Sequence, residues 1–149
     1  MKIILKEQTD IPETEVLITC RAVDEQILRM VAGLRTFDKK ITGLIGEQTF
    51  LLSPGEILYA DTVDRRTFLY AEAQVYETPL KLYELVDRFA GDEFFRASKS
   101  CVINFSKIRS LRPDFGGRMT VIMENDEQLT VSRQFVPDIK KKLYGEESK

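Results

Sequence analysis

The sequence predicts a mostly β, antiparallel fold with few helices, preceded by a small N-terminal β-β-α unit. Three observations predict it. Short runs rich in branched and aromatic residues recur along most of the 149-residue chain, separated by Pro, Gly, Asn or Asp. Only three segments place apolar residues at helical spacing. The first 42 residues read strand, strand, helix, which is too little chain to bury a core alone.

Residues 2–6 (KIILK) and 15–20 (EVLITC) are the first two expected strands, with IPET supplying a break between them. Val23, Ile27, Met30, Val31 and Leu34 then recur along one helical face. Asp24 and Glu25 stand early, where the helix dipole favours acids. That face must pack on the rest of the chain or on another copy of it.

From residue 41 the period changes. ITGLIGEQTFLLSPGEILYAD and RRTFLYAEAQVYET divide into short strands at SPG, TVD and AEA. Pro54 fixes φ and Gly55 tolerates φ > 0, so Ser53-Pro54-Gly55 is a turn by mechanism. TPLKLYELVDRFAGD predicts a helix with Thr78 as N-cap, Pro79 at its first position and Gly91 just past its end. Its apolar stripe is Leu82, Leu85, Val86 and Phe89. FGGR is a Gly-rich turn, and MTVIMENDEQLTVS is a hairpin with Asn125-Asp126 at its tip. Pro137 suits a first helical turn, which starts the last helix near Val136.

Composition excludes several function classes. There are no histidines, so Ser-His and Cys-His catalysis is absent and the commonest zinc ligand is missing. No P-loop, G-x-G-x-x-G or C-x-x-C occurs. An enzyme built on carboxylates alone is the residual catalytic reading, against which dense charge is more simply a solvated surface. No apolar run approaches the ~18 residues of a membrane span, and the N-terminus lacks a secretory apolar region. Cys20 and Cys101 make no metal-type spacing and read as two free, buried thiols of a cytoplasmic protein. No cofactor, membrane association or small-molecule substrate is indicated.

The net charge is −2, but its distribution is uneven. Residues 1–93 hold 11 Lys and Arg against 17 Asp and Glu, whereas residues 94–142 hold 10 against 5. A basic C-terminal third on an acidic chain is consistent with a local phosphate-binding face, and equally with charges that solvate a half-buried sheet.

Within that basic third lies FFRASKSCVIN, residues 94–104. Apolar anchors flank a polar insert with two cations and no Gly, Asn or Asp at its tip. The order from residue 56 onward is strand, strand, helix, then F-R-x-S-K-S-x-x-(I/V)-N, then hairpin, then V-S-R-x-x-V-P. This resembles the LytTR family of bacterial DNA-binding domains. The likeness is carried by Ile57-Leu58-Tyr59, Leu82-Tyr83-Glu84-Leu85, Phe94-Phe95-Arg96, Lys99-Ser100, Val102-Ile103-Asn104, Ile108 and Val131-Ser132-Arg133. It covers roughly residues 43–145. A His often stands in the family where this chain has Ser98, and an aromatic where it has Cys101.

The resemblance implies an elongated antiparallel β fold that binds double-stranded DNA by loops in the major groove, as a transcriptional regulator and not an enzyme. By position it implies base contacts from Lys99, Arg133 and one of Arg65 or Arg66, between which the alignment does not choose. Arg and Lys are natural readers of guanine O6 and N7. Ser98, Ser100 and Ser132 sit beside them as short hydroxyl donors suited to phosphate oxygens, which position a protein without reading sequence, and Arg96 is expected to add electrostatic attraction there. For Arg96 or Arg118 a cross-strand ion pair is the competing expectation. Phe94, Phe95, Phe105 and Tyr59 are expected in the core, Asn104 ties a turn to the backbone, and Gly116-Gly117 serve only their turn.

The expected organisation is an N-terminal extension at 1–42 and a LytTR-like DNA-binding domain at 43–149. Many family members carry a receiver domain of about 120 residues ahead of the DNA-binding part, for which about 42 residues leave no room. The extension is expected instead to make a homodimer contact through its apolar face. The rival readings are a protein-interaction module of the same fold that has lost DNA binding, and a small enzyme or ligand sensor using the N-terminal unit as its pocket.

Overall fold

The computed structural model describes residues 1–89 and 94–145. Seven antiparallel strands form the main sheet: β1 (Ile41–Ile45), β2 (Gln48–Leu52), β3 (Tyr59–Val63), β4 (Arg66–Tyr70), β5 (Val75–Thr78), β6 (Phe94–Ser98) and β7 (Cys101–Asn104), in the order β2-β1-β5-β4-β3-β7-β6. A second sheet holds β8 (Ile108–Pro113), β9 (Met119–Met123) and β10 (Gln128–Val131) in the order β10-β9-β8. Three α-helices accompany them: α1 (Glu25–Asp38), α2 (Leu82–Arg88) and α3 (Val136–Tyr144). The mostly β antiparallel expectation therefore holds.

Strand alternation divides the interior into two cores. Phe94 and Val102 join Ile57, Leu69, the α2 residues Leu82 and Leu85, and Phe89 just past its end in one. Phe95, Ala97 and Ile103 join Tyr59, the β9 and β10 residues Met119, Val121, Met123 and Val131, and the α3 residue Ile139 in the other. β6 and β7 thus feed both cores, which anchors the hairpin between them from two sides. Asn104 reinforces that anchor. Its Nδ2 donates to the carbonyls of Pro54 (3.2 Å) and Ile57 (2.9 Å), and its Oδ1 accepts from the Ser106 N–H (3.1 Å).

Four expectations need correction. Residues 2–6 and 15–20 form no strand, and Ile3, Leu5 and Leu17 are 77%, 93% and 89% exposed. A strand exists only as half of a ladder, and these segments have found no partner within the single chain. The expected helix does form, as α1, with the Asp24 carboxylate accepting from the Ile27 N–H at 3.0 Å. Ile27, Met30 and Val31 are half-buried, whereas Val23, Leu28, Leu34 and Phe37 stay exposed.

The second correction concerns Thr78 and Pro79, which do not open a helix. Thr78 is the buried last residue of β5, paired with Thr67. Its Oγ1 accepts from the Leu80 N–H at 3.3 Å, closing a turn. Sheet pairing wins over capping, and α2 starts only at Leu82, where the Glu84 carboxylate accepts from the Lys81 N–H at 3.0 Å. The expected C-cap at Gly91 lies outside the described residues.

Third, Cys20 is exposed, in a segment that joins no strand, while Cys101 is half-buried in β7. Fourth, neither Arg96 nor Arg118 joins a cross-strand ion pair among the described residues. Arg96 Nη1 donates to the Lys99 carbonyl at 2.8 Å, and Arg118 Nε to the Phe115 carbonyl at 3.0 Å. Each long cation finds the carbonyls of its own turn closer than any acid.

Candidate nucleic-acid interface

Three loops carry the predicted side chains, and hydrogen bonds tie them together. The first is the β3–β4 turn, where Asp64 (φ 51°) and Arg65 (φ 67°) are both left-handed. That backbone matches the twist of a tight hairpin and leaves Arg65 at its exposed tip. The second is the β6–β7 hairpin, whose two-residue tip is Lys99-Ser100. The Ser98 hydroxyl oxygen accepts from the Ser100 N–H at 3.2 Å, and the Arg96 guanidinium holds the Lys99 carbonyl, so this tip is braced at both of its residues. The first two loops are joined directly: the Thr62 N–H donates to the Ser100 carbonyl at 3.0 Å.

The third loop is the single 3-10 turn Arg133–Phe135 between β10 and α3. Ser132 fastens it to β6, since its N–H (2.8 Å) and its hydroxyl (3.2 Å) both donate to the Ala97 carbonyl. The Ser132 hydroxyl proton is therefore spent inside the protein. Arg133 is exposed and lies over Gly117, where a β-carbon would stand 2.9 Å from Arg133 Cδ. Gly117 does more than serve its turn, and no spacing in the sequence signals that it faces Arg133.

The two candidate arginines at the first tip differ. Arg66 forks onto Glu77 across β4 and β5, with Nε donating to Oε2 at 3.1 Å, and it stacks over the Phe68 ring at 5.5 Å. The Glu77 carboxylate holds the Arg66 pKa up, and Arg66 in turn holds the Glu77 carboxyl below its ordinary value. Arg65 makes no ion pair among the described residues. It lines a cleft together with Arg96, Lys99 and Ser100. The structure thus brings Arg65, Arg96, Lys99 and Ser100 to one place, directs Arg66 to the sheet surface, and sets Arg133 on a separate turn.

Beneath the Lys99-Ser100 tip, Asp61 of β3 pairs with Cys101 of β7. Asp61 Oδ2 accepts from the Tyr70 hydroxyl at 3.2 Å, while Oδ1 is buried without a partner among the described residues. Burial raises the Asp61 pKa, which the Tyr70 bond opposes, and pushes the Cys101 thiol up to about 12. Tyr59 and Tyr70 stack at 4.3 Å beside this group. The floor of the hairpin is therefore neutral thiol, phenol and a single carboxyl, whereas its tip is cationic.

The sequence model of the LytTr DNA-binding domain matches residues 47–144. The chain belongs to the LytTr DNA-binding domain family. Its domain is a DNA-binding one and not a catalytic one. The chain is 26% identical to the sensory transduction protein LytT of Enterococcus faecalis over 97 residues, which is 65% of this chain and 40% of that protein. It is 24% identical to the transcriptional regulatory protein YpdB of Escherichia coli over 115 residues, 76% of this chain and 47% of that one. It spans about half or less of the length of these relatives. Among solved structures, a LytTr DNA-binding domain from a Bacillus cereus response regulator shares the fold, with a TM-score of 0.67 at 22% identity, covering 71% of this chain and 97% of that one. No helix among the described residues is long and apolar enough to cross a membrane.

Proposed function

We propose that the chain is a sequence-specific double-stranded-DNA-binding regulator of transcription, acting in the cytoplasm, that reads major-groove base edges with loop side chains. The observation that carries this reading is the bond from the Thr62 N–H to the Ser100 carbonyl. It locks two hairpin tips side by side and presents Arg65 and Lys99 from one rigid edge. Side chains that read bases must be held by a stiff frame, and these rise directly from strands of a two-sided core. Arg65, Lys99 and Arg133 take the base-reading roles. Ser100, Ser98 and Arg96 position the backbone, and Ser132 chiefly fixes the Arg133 turn.

Random-site selection with the purified chain tests the reading, followed by titration of the selected duplex with two variants. Arg133→Ala is expected to cost about 1–3 kcal/mol and relax preference at one base position. Ser100→Ala is expected to weaken all sites alike. Unchanged affinity and preference in Arg133→Ala would remove it from the reading set. Failure to enrich any duplex would favour a protein-interaction role for the same fold.

The N-terminal segment takes the role of a homodimer contact in this reading. Ile3, Ile4, Leu5, Val16 and Leu17 lie exposed, as do Val23, Leu28, Leu34 and Phe37 on and before α1, and the first five stand in segments with strand-forming composition but no partner strand among the described residues. A second copy would supply the missing ladder and link two DNA-binding domains, raising the effective concentration at a second half-site. Sedimentation of the full chain against Ile4→Glu/Leu17→Glu decides it. A dimer that both proteins form equally well would refute this contact.

A further inference from the structure

Two of the clefts on the described surface are of similar size, and their walls have opposite charge. One, of about 400 Å³, is lined by apolar residues and by Glu56, Glu72 and Glu124, with Lys107 already 3.9 Å from Glu124. Its carboxylates repel a polyanion. The other, of about 440 Å³, has four cations on its walls, and no Asp or Glu lies among the described residues lining it. Arg65 comes from the β3–β4 turn, and Arg96 and Lys99 from the β6–β7 hairpin. The fourth cation is Lys81, which approaches from the connection between β5 and α2.

We infer that the second cleft is a seat for one backbone phosphate of bound DNA, and that Lys81 completes it. The inference rests on the reading of this face as a DNA interface and adds to it a residue on a third element. Several cations elsewhere on this surface are given acids: Arg66 has Glu77, Arg88 has Asp38, Lys107 has Glu124 and Arg109 has Asp126, whereas others such as Arg118 and Arg133 stand without one among the described residues. Among the described residues the four cations of the cleft form no ion pair. Holding like charges together without counter-charges is unfavourable to the folded chain, and a bound anion removes that repulsion. A concave wall of one sign also concentrates the field, so the cleft attracts an anion even on a chain of net charge −2.

The chemistry of the lining selects phosphate. Thr62, Ser100 and Tyr83 add hydroxyl donors around the cations. Tetrahedral oxygens accept such donors from several directions at once. Lys81 is a flexible point charge, suited to a phosphate and unsuited to discriminating bases, in contrast to the forked Arg65. Its place between the β3–β4 tip and α2 sets the phosphate beside Arg65 and Lys99. The seat therefore fixes how deeply those two side chains enter the groove. Lys81 is a positioning residue, and its contribution is the same for every sequence.

The test compares the full chain with Lys81→Gln on its selected duplex and on an unrelated duplex across a range of salt. Lys81 is exposed, and its bonds at the start of α2 are made through its backbone N–H and carbonyl, which glutamine keeps. Affinity is expected to fall by the same factor on both duplexes, and the slope of log affinity against log salt to become shallower by about 0.9. Lys39→Gln, at a surface lysine beyond the cleft, is expected to leave the slope unchanged. Single neutral methylphosphonate linkages then locate the phosphate. One position should weaken the wild type and cost Lys81→Gln nothing further. Wild-type affinity and slope in Lys81→Gln would overturn the seat, as would an equal effect of Lys39→Gln or full additivity at every linkage. Absence of salt-dependent duplex binding in the wild type would instead overturn the DNA reading beneath it.

Discussion

The side chain of Arg133 lies against the α-carbon of Gly117, so close that a β-carbon there would stand 2.9 Å from Arg133 Cδ and 3.0 Å from Cγ. A glycine in the β8–β9 turn thereby sets the course of an arginine across the second sheet. Gly117 has φ 78° and its neighbour Gly116 φ 69°, but nothing lies within 4 Å of a β-carbon at Gly116. Each alanine substitution should cost about 1–2 kcal/mol of stability from the left-handed backbone alone. Only Gly117→Ala should also weaken DNA binding and relax preference at the base that the proposed reading gives to Arg133. Urea unfolding and site selection on both variants separate the two effects. Equal binding by the pair would show that the contact does not steer Arg133.

Arg65 and Arg66 are neighbours with different fates. Arg65→Gln is expected to lose about 1–3 kcal/mol of binding and the preference at one base. Arg66→Ala is expected to keep base preference and lose a little thermal stability, because its fork on Glu77 is a solvent-facing pair. The Glu77 carboxyl should then titrate at a higher pH than in the wild type. A change of base preference in Arg66→Ala, with none in Arg65→Gln, would reverse the assignment.

How much of this was legible in the sequence depends on whether local chemistry or distant packing decides. The Ser53-Pro54-Gly55 turn, the Asn125-Asp126 tip and the start of α3 at Val136 follow from residues adjacent in sequence. Thr78 and Pro79 look like a helix start locally, but Thr67 across the sheet claims Thr78 for β5. The strands expected at 2–6 and 15–20 have the right composition and lack a partner, which composition cannot supply. In the proposed interface, Lys99 and Arg133 are legible through a motif. The choice of Arg65 over Arg66 needed Glu77, and Lys81 needed the cleft, since neither relationship leaves a trace in spacing.

Asn104 should be the most sensitive polar position beneath the interface. It is 1% exposed, and it bonds two carbonyls and the Ser106 N–H and hydroxyl. Asn104→Ala should cost about 1–3 kcal/mol for each group left bare. Asn104→Asp should cost more, because a carboxylate would face the Pro54 and Ile57 carbonyls. Denaturant midpoints measure both, and a loss within the error of a surface substitution would contradict the network.

The two thiols should react at very different rates. Cys20 is exposed, whereas Cys101 is half-buried with its pKa pushed up to about 12 by burial and by the Asp61 charge. Thiolate is the nucleophile, so at neutral pH Cys101 presents almost none. Iodoacetamide should label Cys20 in the folded chain and Cys101 only after unfolding, as read by peptide mass. Prompt labelling of Cys101 in the native protein would mean that the floor of the Lys99-Ser100 hairpin opens readily.

Asp61 gives a pH dependence with a definite sign. Burial lifts its pKa above the ordinary 3.8: among the described residues Oδ1 has no donor, and the Tyr70 hydroxyl donates to Oδ2. The groups that feel its charge are Tyr70, whose own pKa rises to about 12, the neutral Cys101 thiol and Tyr59; Arg96 acts on Cys101 rather than on Asp61. None supplies a compensating positive charge. The folded state therefore holds the Asp61 proton more tightly than the unfolded state does, and stability falls as pH rises between 3.8 and the folded value. Below that window the carboxyl is protonated in both states and carries no penalty; above it the penalty is fully present. Asp61→Asn keeps an acceptor for Tyr70 and cannot ionise. The stability of the wild type minus that of Asp61→Asn should thus decline with rising pH through this window and then level off. Thermal unfolding of both proteins across acidic to neutral pH measures it. A difference that grows with pH would mean that Asp61 is stabilised as the anion, by a donor on the underside of the Lys99-Ser100 hairpin.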